Sequence, residues 1–573
     1  MQERMITNQT MQESVLQDAV YCINQALLQD NGALRVLTFA REEYRLTTTF
    51  AHQKFCYLSN NDYGLKDIAF PVFGKKNLVI DGKGAQLTCI GRVLPFYLQD
   101  CENITLKNFV IDYARPMFTQ GRVVAIDDES VTLAIDKKEF PYYIVNGILY
   151  FTGEDYSESF IQCFLEFDPV TKRPLPDAKD VMAWTSLPAE EVKEGVVRIF
   201  FDFSEREREP IPAGILAANT NTLAPHRMRV GNTVIIKHER RFAPAIVIDR
   251  CKNVRLENIW VKHADTMGVL GQFSEDITLD HVKIATDPAS VRVVSANADA
   301  THFVGCKGLI TVENCFIESQ LDDVINVHGN YMRITHVMGA NRIVAQIPHR
   351  QQVGSCGIVA GGKIRLCDGK TMMPKGDFTV KAIHAINHKY YDITLCEDYD
   401  FAVAMPCCIE DIDGLASVVF RHNNCGRNRA RGLLFTTGKD VLVEDNMLDC
   451  EGAVLKVNCD MHNWYESGAM GKITVRGNEM RRQNMGTWGA AMIDIDPQMQ
   501  EMPEGFYMHD EIIIENNTIY LNELPLLDGW SVRSIQVTGN EIHLNSKHPM
   551  TDANVAVLKQ YEEAVFNNTY VIE

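Results

Sequence analysis

Short runs of alternating apolar and polar residues recur along the chain and predict β-strands. In each run two β-branched or leucine side chains alternate with polar residues, and an asparagine or a glycine follows where the chain would turn. The clearest copies begin at Cys101, Cys251 and Ser274, and weaker copies occupy residues 309–314, 441–446, 473–478, 512–516 and 535–540. Leu256 and Leu279 lie 23 residues apart. This is the length of one coil of a right-handed parallel β-helix, whose equivalent residues stack about 4.8 Å apart.

The predicted coils account for three other features of the sequence. Stacked asparagines would form a ladder that satisfies backbone groups at the turns. Cys101, Cys251 and Cys306 occupy equivalent positions of the repeat, so burial in a stack explains them without redox chemistry. An apolar stripe at helical spacing over residues 11–29 predicts an amphipathic helix that caps the open end of the first coil.

Two long segments interrupt this repeat with strand-like runs separated by turns, such as residues 122–126 and 342–347. We interpret them as small β-barrels or β-sandwiches inserted into the β-helix. The predicted all-β protein has five parts: an N-terminal cap with the first coils (1–111), a barrel-type insertion (112–244), central coils with the active site (245–331), a second barrel-type insertion (332–412) and C-terminal coils (413–573).

The charge of the chain narrows the class of its partners. With 56 basic and 75 acidic residues, the net charge of −19 argues against binding to nucleic acid or to an anionic membrane surface. No apolar stretch approaches the ~18 residues of a membrane-spanning helix. Met1 to Arg4 lack the apolar core of a signal peptide, which predicts a cytoplasmic protein, although a secreted or periplasmic protein without its signal peptide would share this pattern. The exposed insertions would allow a homodimer.

The central coils are expected to bring three acidic residues together. Asp299 and Asp322 are 23 residues apart, so neighbouring coils would place Asp299 against Asp322 and Asp323. Like charges at close range raise the pKa of at least one acid, which provides both a proton donor and a proton acceptor. Glycoside hydrolysis needs such a pair. A separation of about 6.5 to 9.5 Å leaves space for water and gives inversion of configuration, whereas a shorter one favours retention.

Other residues near the acids are candidates for substrate binding. His302 and His328 flank them, with structural hydrogen bonding as the alternative role of each. Asn326 fits either a sugar hydroxyl or the turn ladder. Trp464 and Trp488 lie in glycine-rich stretches, where they could stack on a sugar ring or pack within a loop.

A second acidic pair, Asp494 and Asp496, would lie on one side of a strand, but no third acid is in coil register with it. It is the weaker candidate for catalysis. The sequence has no phosphate-binding loop, dinucleotide fingerprint or zinc motif. We therefore expect neither a metal nor a cofactor.

Five short segments of the chain are similar to a known family: residues 57–62, 70–73, 78–84, 298–303 and 318–329. They resemble glycoside hydrolase family 110. The members of that family are exo-acting, inverting α-1,3-galactosidases, including enzymes that remove the galactose of blood group B. They have a parallel β-helix with an inserted β-barrel. The resemblance implies that Asp322 is the general acid, that Asp299 and Asp323 are the base pair that positions water, and that the substrate is a galactose-terminated oligosaccharide or glycan.

Two other functions fit the same sequence. A non-catalytic β-helix could bind carbohydrate without releasing a monosaccharide. The layout of three acids is also similar to that of polygalacturonases, but residues 297–299 and 327–329 only approximate their motifs, and the sequence shows no convincing basic trio for a uronate.

Overall fold

The structure, a computed structural model, describes residues 2–6, 18–175, 180–201, 221–222, 228–238, 241–401, 405–482, 488–522, 524–545 and 555–572. Most strands in this part of the chain are parallel and wind into a β-helix with three sheets. Two antiparallel β-domains are inserted into it. The fold confirms the predicted β-helix with barrel-type insertions, while the limits of the five predicted parts stay predictions.

The first sheet carries the candidate active site. Its strands are Gly64–Phe73, Val93–Gln99, Ile246–Asp249, Val269–Gln272, Thr301–Val304, Ile325–Gly339, Leu433–Thr436, Leu455–Val457, Ile493–Ile495, Leu527–Leu544 and Ala556–Ile572. Side chains alternate between its two faces. Phe303 and Val327 pack into the core of the β-helix, so His302 and Asn326 occupy the outer face.

The second sheet stacks the repeated segments of the sequence. Its strands are Gln2–Ile6, Leu34–Phe39, Lys76–Ile90, Glu102–Tyr113, Lys252–Val261, Glu275–Asp280, Lys307–Glu313, Ser417–Arg421, Val441–Glu444, Lys472–Arg476, His509–Glu515, Leu527–Leu544 and Ala556–Ile572. Leu256 pairs with Leu279 and Ile514 pairs with Val537. The predicted coil of 23 residues is therefore found at both places where the sequence indicated it.

The third sheet completes each coil. It contains Glu43–Thr47, the later parts of Lys76–Ile90, Glu102–Tyr113 and Lys252–Val261, then Lys283–Ile284, Phe316–Glu318, Asn424–Gly426, Met447–Cys450, Glu479–Arg482, Thr518–Leu521, and again Leu527–Leu544 and Ala556–Ile572. Because each coil crosses all three sheets, a side chain on one coil lies beside side chains more than a hundred residues away wherever an insertion intervenes.

The turn between the second and third sheets contains the asparagine ladder. Asn108, Asn258 and Asn314 adopt positive φ values of 50° to 60° there, a backbone conformation that asparagine tolerates better than most residues. In the later coils the side-chain Nδ2 of each ladder asparagine donates to the Oδ1 of the asparagine on the next coil at 2.8 to 3.1 Å. These residues are Asn423, Asn446, Asn478, Asn517, Asn540 and Asn568. Asn326 is not part of this ladder. Instead, its Nδ2 faces Glu466 Oε2 at 3.5 Å.

The first insertion is built around an eight-stranded sheet in the order Ala189–Lys193, Val196–Phe200, Ser130–Ile135, Phe118–Ile126, Thr233–His238, Phe160–Phe167, Val181–Ser186 and Asn221–Thr222. Tyr142–Val145, Ile148–Thr152 and Ser157–Glu158 form a smaller sheet beside it. Leu321 of the β-helix packs into the core of this insertion. The insertion therefore supports the backbone immediately before Asp322.

The second insertion is a closed antiparallel barrel. Its ring contains the end of Ile325–Gly339, then Arg342–Gln346, Tyr390–Leu395, Pro374–Ala385, Lys363–Asp368 and Cys407–Asp411, which pairs again with the first strand. A short 3₁₀ helix, Arg350–Gln352, lies in one of its loops. Glu466–Ser467 pairs with Gly329 and Asn330 just before the barrel begins. One strand thus passes from the candidate active site directly into the barrel.

The N-terminal end of the β-helix packs against a helix, Ala19–Leu28, as predicted from the apolar stripe. Asp18 caps it by accepting a hydrogen bond from the Tyr21 amide, and Val20, Ile23 and Leu27 are buried against the core. Residues 11–17 of the predicted helix lie outside the described residues. No helix among the described residues is long and apolar enough to cross a membrane. All 16 cysteines, including Cys101, Cys251 and Cys306, are free of disulfides, and most are buried.

Candidate active site

Asp299, Asp322 and Asp323, which we call the acidic trio, converge at the outer face of the first sheet. The strands that follow them are neighbours, with Thr301 paired to Ile325. One carboxylate oxygen of each residue lies within 4.8 Å of the other two. The coil is one residue longer here than the predicted 23 residues, so Asp299 lies beside Asp323, whose amide donates to Asp299 Oδ1 at 3.3 Å. Asp322 immediately precedes this pair.

The three carboxylates differ in their access to solvent. The side chain of Asp322 is 21% exposed, whereas those of Asp299 and Asp323 are 8% and 1% exposed. Burial, together with the charge of Asp322, raises the pKa of Asp299 to about 8 against the opposing charges of Arg241 and Arg431. Asp322 is therefore the acid best placed to reach a bound substrate, and burial increases the proton affinity of both Asp299 and Asp323.

Two arginines, Arg431 and Arg241, lie beside the carboxylates of the trio. Both oxygens of Asp323 accept hydrogen bonds from Arg431 at 2.8 Å, a bidentate arrangement typical of strong ion pairs. Although burial lowers it, the charges of Asp323 and Asp322 raise the pKa of Arg431 above its ordinary value. Asp322 lies 3.7 Å from both Arg431 and Arg241. Burial raises the pKa of Asp323, and the charge of Arg431 opposes that shift. Because Arg431 occupies both oxygens of Asp323, the contact holds that carboxylate and the site in shape.

The predicted substrate-binding histidines are buried behind Asp299. His302 Nδ1 lies 2.6 Å from Asp299 Oδ2, and His302 Nε2 lies 3.0 Å from His328 Nε2. His328 Nδ1 faces the Gly329 carbonyl at 2.6 Å. Neither histidine is exposed to solvent. Their contact with a sugar stays a prediction, and the arrangement favours the alternative that the sequence allowed, namely hydrogen bonding within the protein.

A loop at residues 57–62 lies beside the site and is hydrogen-bonded to both insertions. The Asn60 amide donates to the Gln351 carbonyl at 2.8 Å, and the Asp62 amide donates to the Arg241 carbonyl at 2.8 Å. Asn60 Nδ2 also donates to Glu466 Oε1 at 3.2 Å. Four separate parts of the chain therefore meet at the site: this loop, the end of the first insertion, the barrel and the later coils.

The two predicted tryptophans take different places. Trp464 is half-buried, lies with its ring 4.2 Å from that of His349, and faces the guanidinium of Arg241 at 6.0 Å. Trp488 lies under Arg429 and Arg431, with their guanidinium carbons 4.6 and 5.5 Å from its ring centre. Contact of Trp464 with a sugar stays a prediction, whereas Trp488 packs against the arginine that holds Asp323.

The second acidic pair has a different environment. Lys456 Nζ lies 2.9 Å from Asp494 and 3.6 Å from Asp496, and the side chains of Lys456 and Asp494 are nearly buried. Asp494 also accepts a hydrogen bond from the Ala490 amide at 2.9 Å. We call Lys456, Asp494 and Asp496 the Lys456 cluster. The contact of one lysine with both carboxylates indicates a structural role.

Arg241, Arg431 and Glu466 belong to the site but escaped the sequence analysis. Arg431 is 108 residues from its partner Asp323, and such a distance leaves no local signal. One clue was present: Arg427, Arg429 and Arg431 alternate along a single coil, as side chains on one face of an extended segment would. Glu466 has no comparable clue in its neighbouring residues.

The carboxylates of the trio are close enough together to bind a cation, but the hydrogen bonds that their oxygens already make do not suit one. Arg431 occupies both oxygens of Asp323, and Asp299 is bonded to His302 and to the Asp323 amide. Ca²⁺ and Mg²⁺ require several free oxygen ligands. The arrangement fits proton transfer better than metal binding.

A β-helix with clustered carboxylates on one outer face defines the class of β-helix glycoside hydrolases, and the comparisons with known proteins agree. Residues 119–210 match the family model described as GLAA-B beta-barrel domain I. Residues 230–355, which include the whole trio, match the model of glycosyl hydrolases family 28. The protein is a glycoside hydrolase, and its substrate is a carbohydrate.

Full-length relatives define the family more narrowly. The chain is 30% identical over 510 residues to alpha-1,3-galactosidase B of Bacteroides thetaiotaomicron, covering 88% of this chain and 80% of the relative. It is 30% identical over 516 residues to alpha-1,3-galactosidase A of Shewanella woodyi, covering 90% and 81%. The chain belongs to the α-1,3-galactosidase family, glycoside hydrolase family 110. Among solved structures, an exopolygalacturonase from Thermotoga maritima is 10% identical with a TM-score of 0.30, covers 96% of this chain and 85% of that chain, and adds nothing to the assignment.

Proposed function

We propose that this protein is an exo-acting α-1,3-galactosidase that releases terminal galactose from an α-1,3-galactosyl oligosaccharide or glycan with inversion of configuration. The observation that carries the proposal is the acidic trio, in which one exposed and two buried carboxylates meet on adjacent coils. The relatives named as α-1,3-galactosidases support the linkage and the sugar.

The environment of each acid supports a separate role. Asp322, the exposed acid, donates its proton to the leaving oxygen as the bond from that oxygen to the anomeric carbon breaks. A water attacks the same carbon and transfers a proton to Asp299, whose raised pKa makes it an effective acceptor once it is ionised. Asp323 stays paired with Arg431 and keeps the trio in place.

The short spacing of the trio favours a second candidate mechanism. One oxygen of each carboxylate lies within 4.8 Å of the other two, whereas inversion is expected for carboxyl groups ~6.5 to 9.5 Å apart and retention for closer ones. In a retaining enzyme a carboxylate would attack the anomeric carbon directly. The burial of Asp299 and Asp323, whose side chains are 8% and 1% exposed, opposes this, because the anomeric carbon itself would have to reach one of them, whereas a water is small enough to lie between. We therefore propose inversion.

Exo action is proposed from the way the site is walled. The loop at residues 57–62 is hydrogen-bonded to Gln351 and to Glu466, and the rings of His349 and Trp464 are in contact. Such an arrangement suits one terminal sugar better than a long chain passing through. The half-buried Trp464 offers an aromatic face to the apolar side of that sugar.

A proton NMR time course on an α-1,3-galactosyl oligosaccharide tests the proposal. Inversion predicts that β-galactose appears first and that α-galactose follows only by mutarotation. Initial α-galactose would establish the retaining alternative instead. No release of galactose, together with binding of the oligosaccharide, would leave a carbohydrate-binding protein.

A uronate-specific activity is the remaining catalytic alternative, because Arg241 and Arg431 provide the positive charge that the sequence did not reveal. Both arginines face the carboxylates of the trio, which weakens their attraction for an acidic sugar. Turnover of polygalacturonate at a rate above that of the galactoside would favour this alternative. The homodimer, the cytoplasmic location and the choice between branched and linear glycans stay predictions.

A further inference from the structure

Asp299, His302 and His328 form a hydrogen-bonded row whose geometry limits where protons can lie. The Gly329 carbonyl can only accept, so the 2.6 Å contact with His328 Nδ1 requires a proton on that nitrogen. The 3.0 Å contact between the Nε2 atoms of His328 and His302 requires one proton on one of them. The 2.6 Å contact between His302 Nδ1 and Asp299 Oδ2 requires one more.

The row therefore holds three protons when all of its contacts are hydrogen bonds. A carboxylate beside two neutral imidazoles holds only two. The additional proton can reside on Asp299 as a neutral carboxylic acid, or it can reside on the imidazoles as a positive charge that leaves Asp299 ionised. Only the second distribution provides a carboxylate that can accept a proton from water.

Glu466 lies at the far end of this row. Its Oε1 is 3.5 Å from His328 Nε2, and its side chain is 11% exposed. Asn60 donates to Oε1 at 3.2 Å and Asn326 approaches Oε2 at 3.5 Å, so two amides from different coils orient the carboxylate. Its backbone is fixed as well, because Glu466 pairs with Asn330 in a short antiparallel ladder.

We propose that Glu466 is a positioning residue for catalysis: its negative charge draws the additional proton of the row toward His328 and leaves Asp299 ionised to act as the base. Two short transfers achieve this, one from Asp299 to His302 Nδ1 and one from His302 Nε2 to His328 Nε2. No proton is gained or lost. The inference rests on the proposed function, which makes Asp299 the acceptor of the proton from water.

Burial opposes a positive charge on either imidazole of the row, and the charges around the row offset that effect. Burial lowers the pKa of His302 to about 4 and also lowers the pKa of His328. For each histidine, Glu466 is the strongest charge that opposes this lowering of the pKa. Arg241 lowers the pKa of His302 further, whereas Asp322 raises it. Burial raises the pKa of Glu466, but the charges of His328, His302 and Arg431 bring it below the ordinary value, so it stays ionised. The pKa of His349 on the barrel is also lowered by burial, to about 4, which keeps it neutral.

The variant Glu466→Gln tests the proposal because it removes the charge and preserves the shape. Without that charge the additional proton remains on Asp299, so we expect kcat at neutral pH to fall at least about 10-fold, with KM little changed. Activity should return only as rising pH removes the proton, which moves the acidic limb of the kcat profile to higher pH by about one unit or more. Glu466→Asp, which retains the charge, should remain nearer the wild type.

Glu451→Gln is the matched control. Glu451 is also a buried glutamate, but it pairs with Arg173 and makes no hydrogen bond to the row. Its substitution should lower stability without moving the acidic limb. An acidic limb of Glu466→Gln at the wild-type position, whatever the rate, would overturn the proposal, because a merely structural role alters folding and not this limb.

A measurement on the wild type separates this inference from the proposed function. With ¹⁵N-labelled histidine, NMR at neutral pH should show protons on both ring nitrogens of His328, identified by its absence from a His328→Gln spectrum. A bare Nε2 on His328 would overturn the relay. If the enzyme releases no galactose at all, the proposed function fails, while the protonation of His328 still decides the inference about Glu466.

Discussion

The acidic trio and the Lys456 cluster lie on the same face of the same sheet and differ in how their charges are balanced. In the Lys456 cluster one lysine lies within 3.6 Å of both carboxylates. In the trio, Arg431 binds Asp323 at both oxygens but remains 3.7 Å from Asp322, and Asp299 is bonded to a histidine instead. Close positive charge stabilises a buried acid as an ion, whereas its absence leaves a carboxyl group able to gain and lose a proton.

The largest expected effect of a substitution in the trio is on turnover. Asp322→Asn removes the proton donor, so galactose release should fall at least about 10²-fold while the melting temperature is maintained. Asp496→Asn, in the Lys456 cluster, is the matched control and should leave turnover unchanged. Full activity of Asp322→Asn would end the assignment of that residue as general acid.

The converse substitution should affect stability. Lys456→Met leaves Asp494 buried without its cation, and we expect the free energy of unfolding to fall by about 3 to 5 kcal/mol with kcat/KM unchanged. Chemical denaturation followed by circular dichroism measures this. Lys439→Met, at an exposed lysine, should be nearly neutral. A large loss of activity from Lys456→Met at constant stability would make the Lys456 cluster part of the active site.

A smaller effect should separate the two tryptophans. Trp464→Ala removes the predicted stacking surface, worth about 0.5 to 1.5 kcal/mol, so KM should rise about 2- to 10-fold with kcat retained. Trp488→Leu disturbs the support of Arg431 and should mainly lower kcat. Steady-state kinetics on the same oligosaccharide distinguish the two, and equal effects on KM would contradict the separate roles.

The smallest expected effect is that of metal removal. Since Arg431 and His302 already occupy the oxygens that a cation would need, EDTA should leave the rate of galactose release unchanged. Loss of activity that Ca²⁺ restores would show that the trio binds a metal and would remove the basis for its role in proton transfer.

The repeat made much of the fold predictable. The inward row that includes Leu256, Leu279, Ile514 and Val537 follows from alternation within strands and a constant coil length, both of which are local properties. The same reasoning brought the trio together, although the coil there is one residue longer than the predicted 23, so that Asp299 lies beside Asp323. It could not assign the histidines, because nothing local states whether an imidazole faces a pocket or lies behind an acid.

The sequence by itself determined that the chain winds into coils, that insertions interrupt them, and which three acids meet. Only the tertiary structure decided that Asp323 is paired with an arginine and that Asp299 is hydrogen-bonded to a row of histidines. The reason is that a strand pattern depends on neighbours in the chain, whereas charge balance depends on neighbours in space. Arg431 reaches Asp323 across 108 residues, and Glu466 reaches Asn326 across 140.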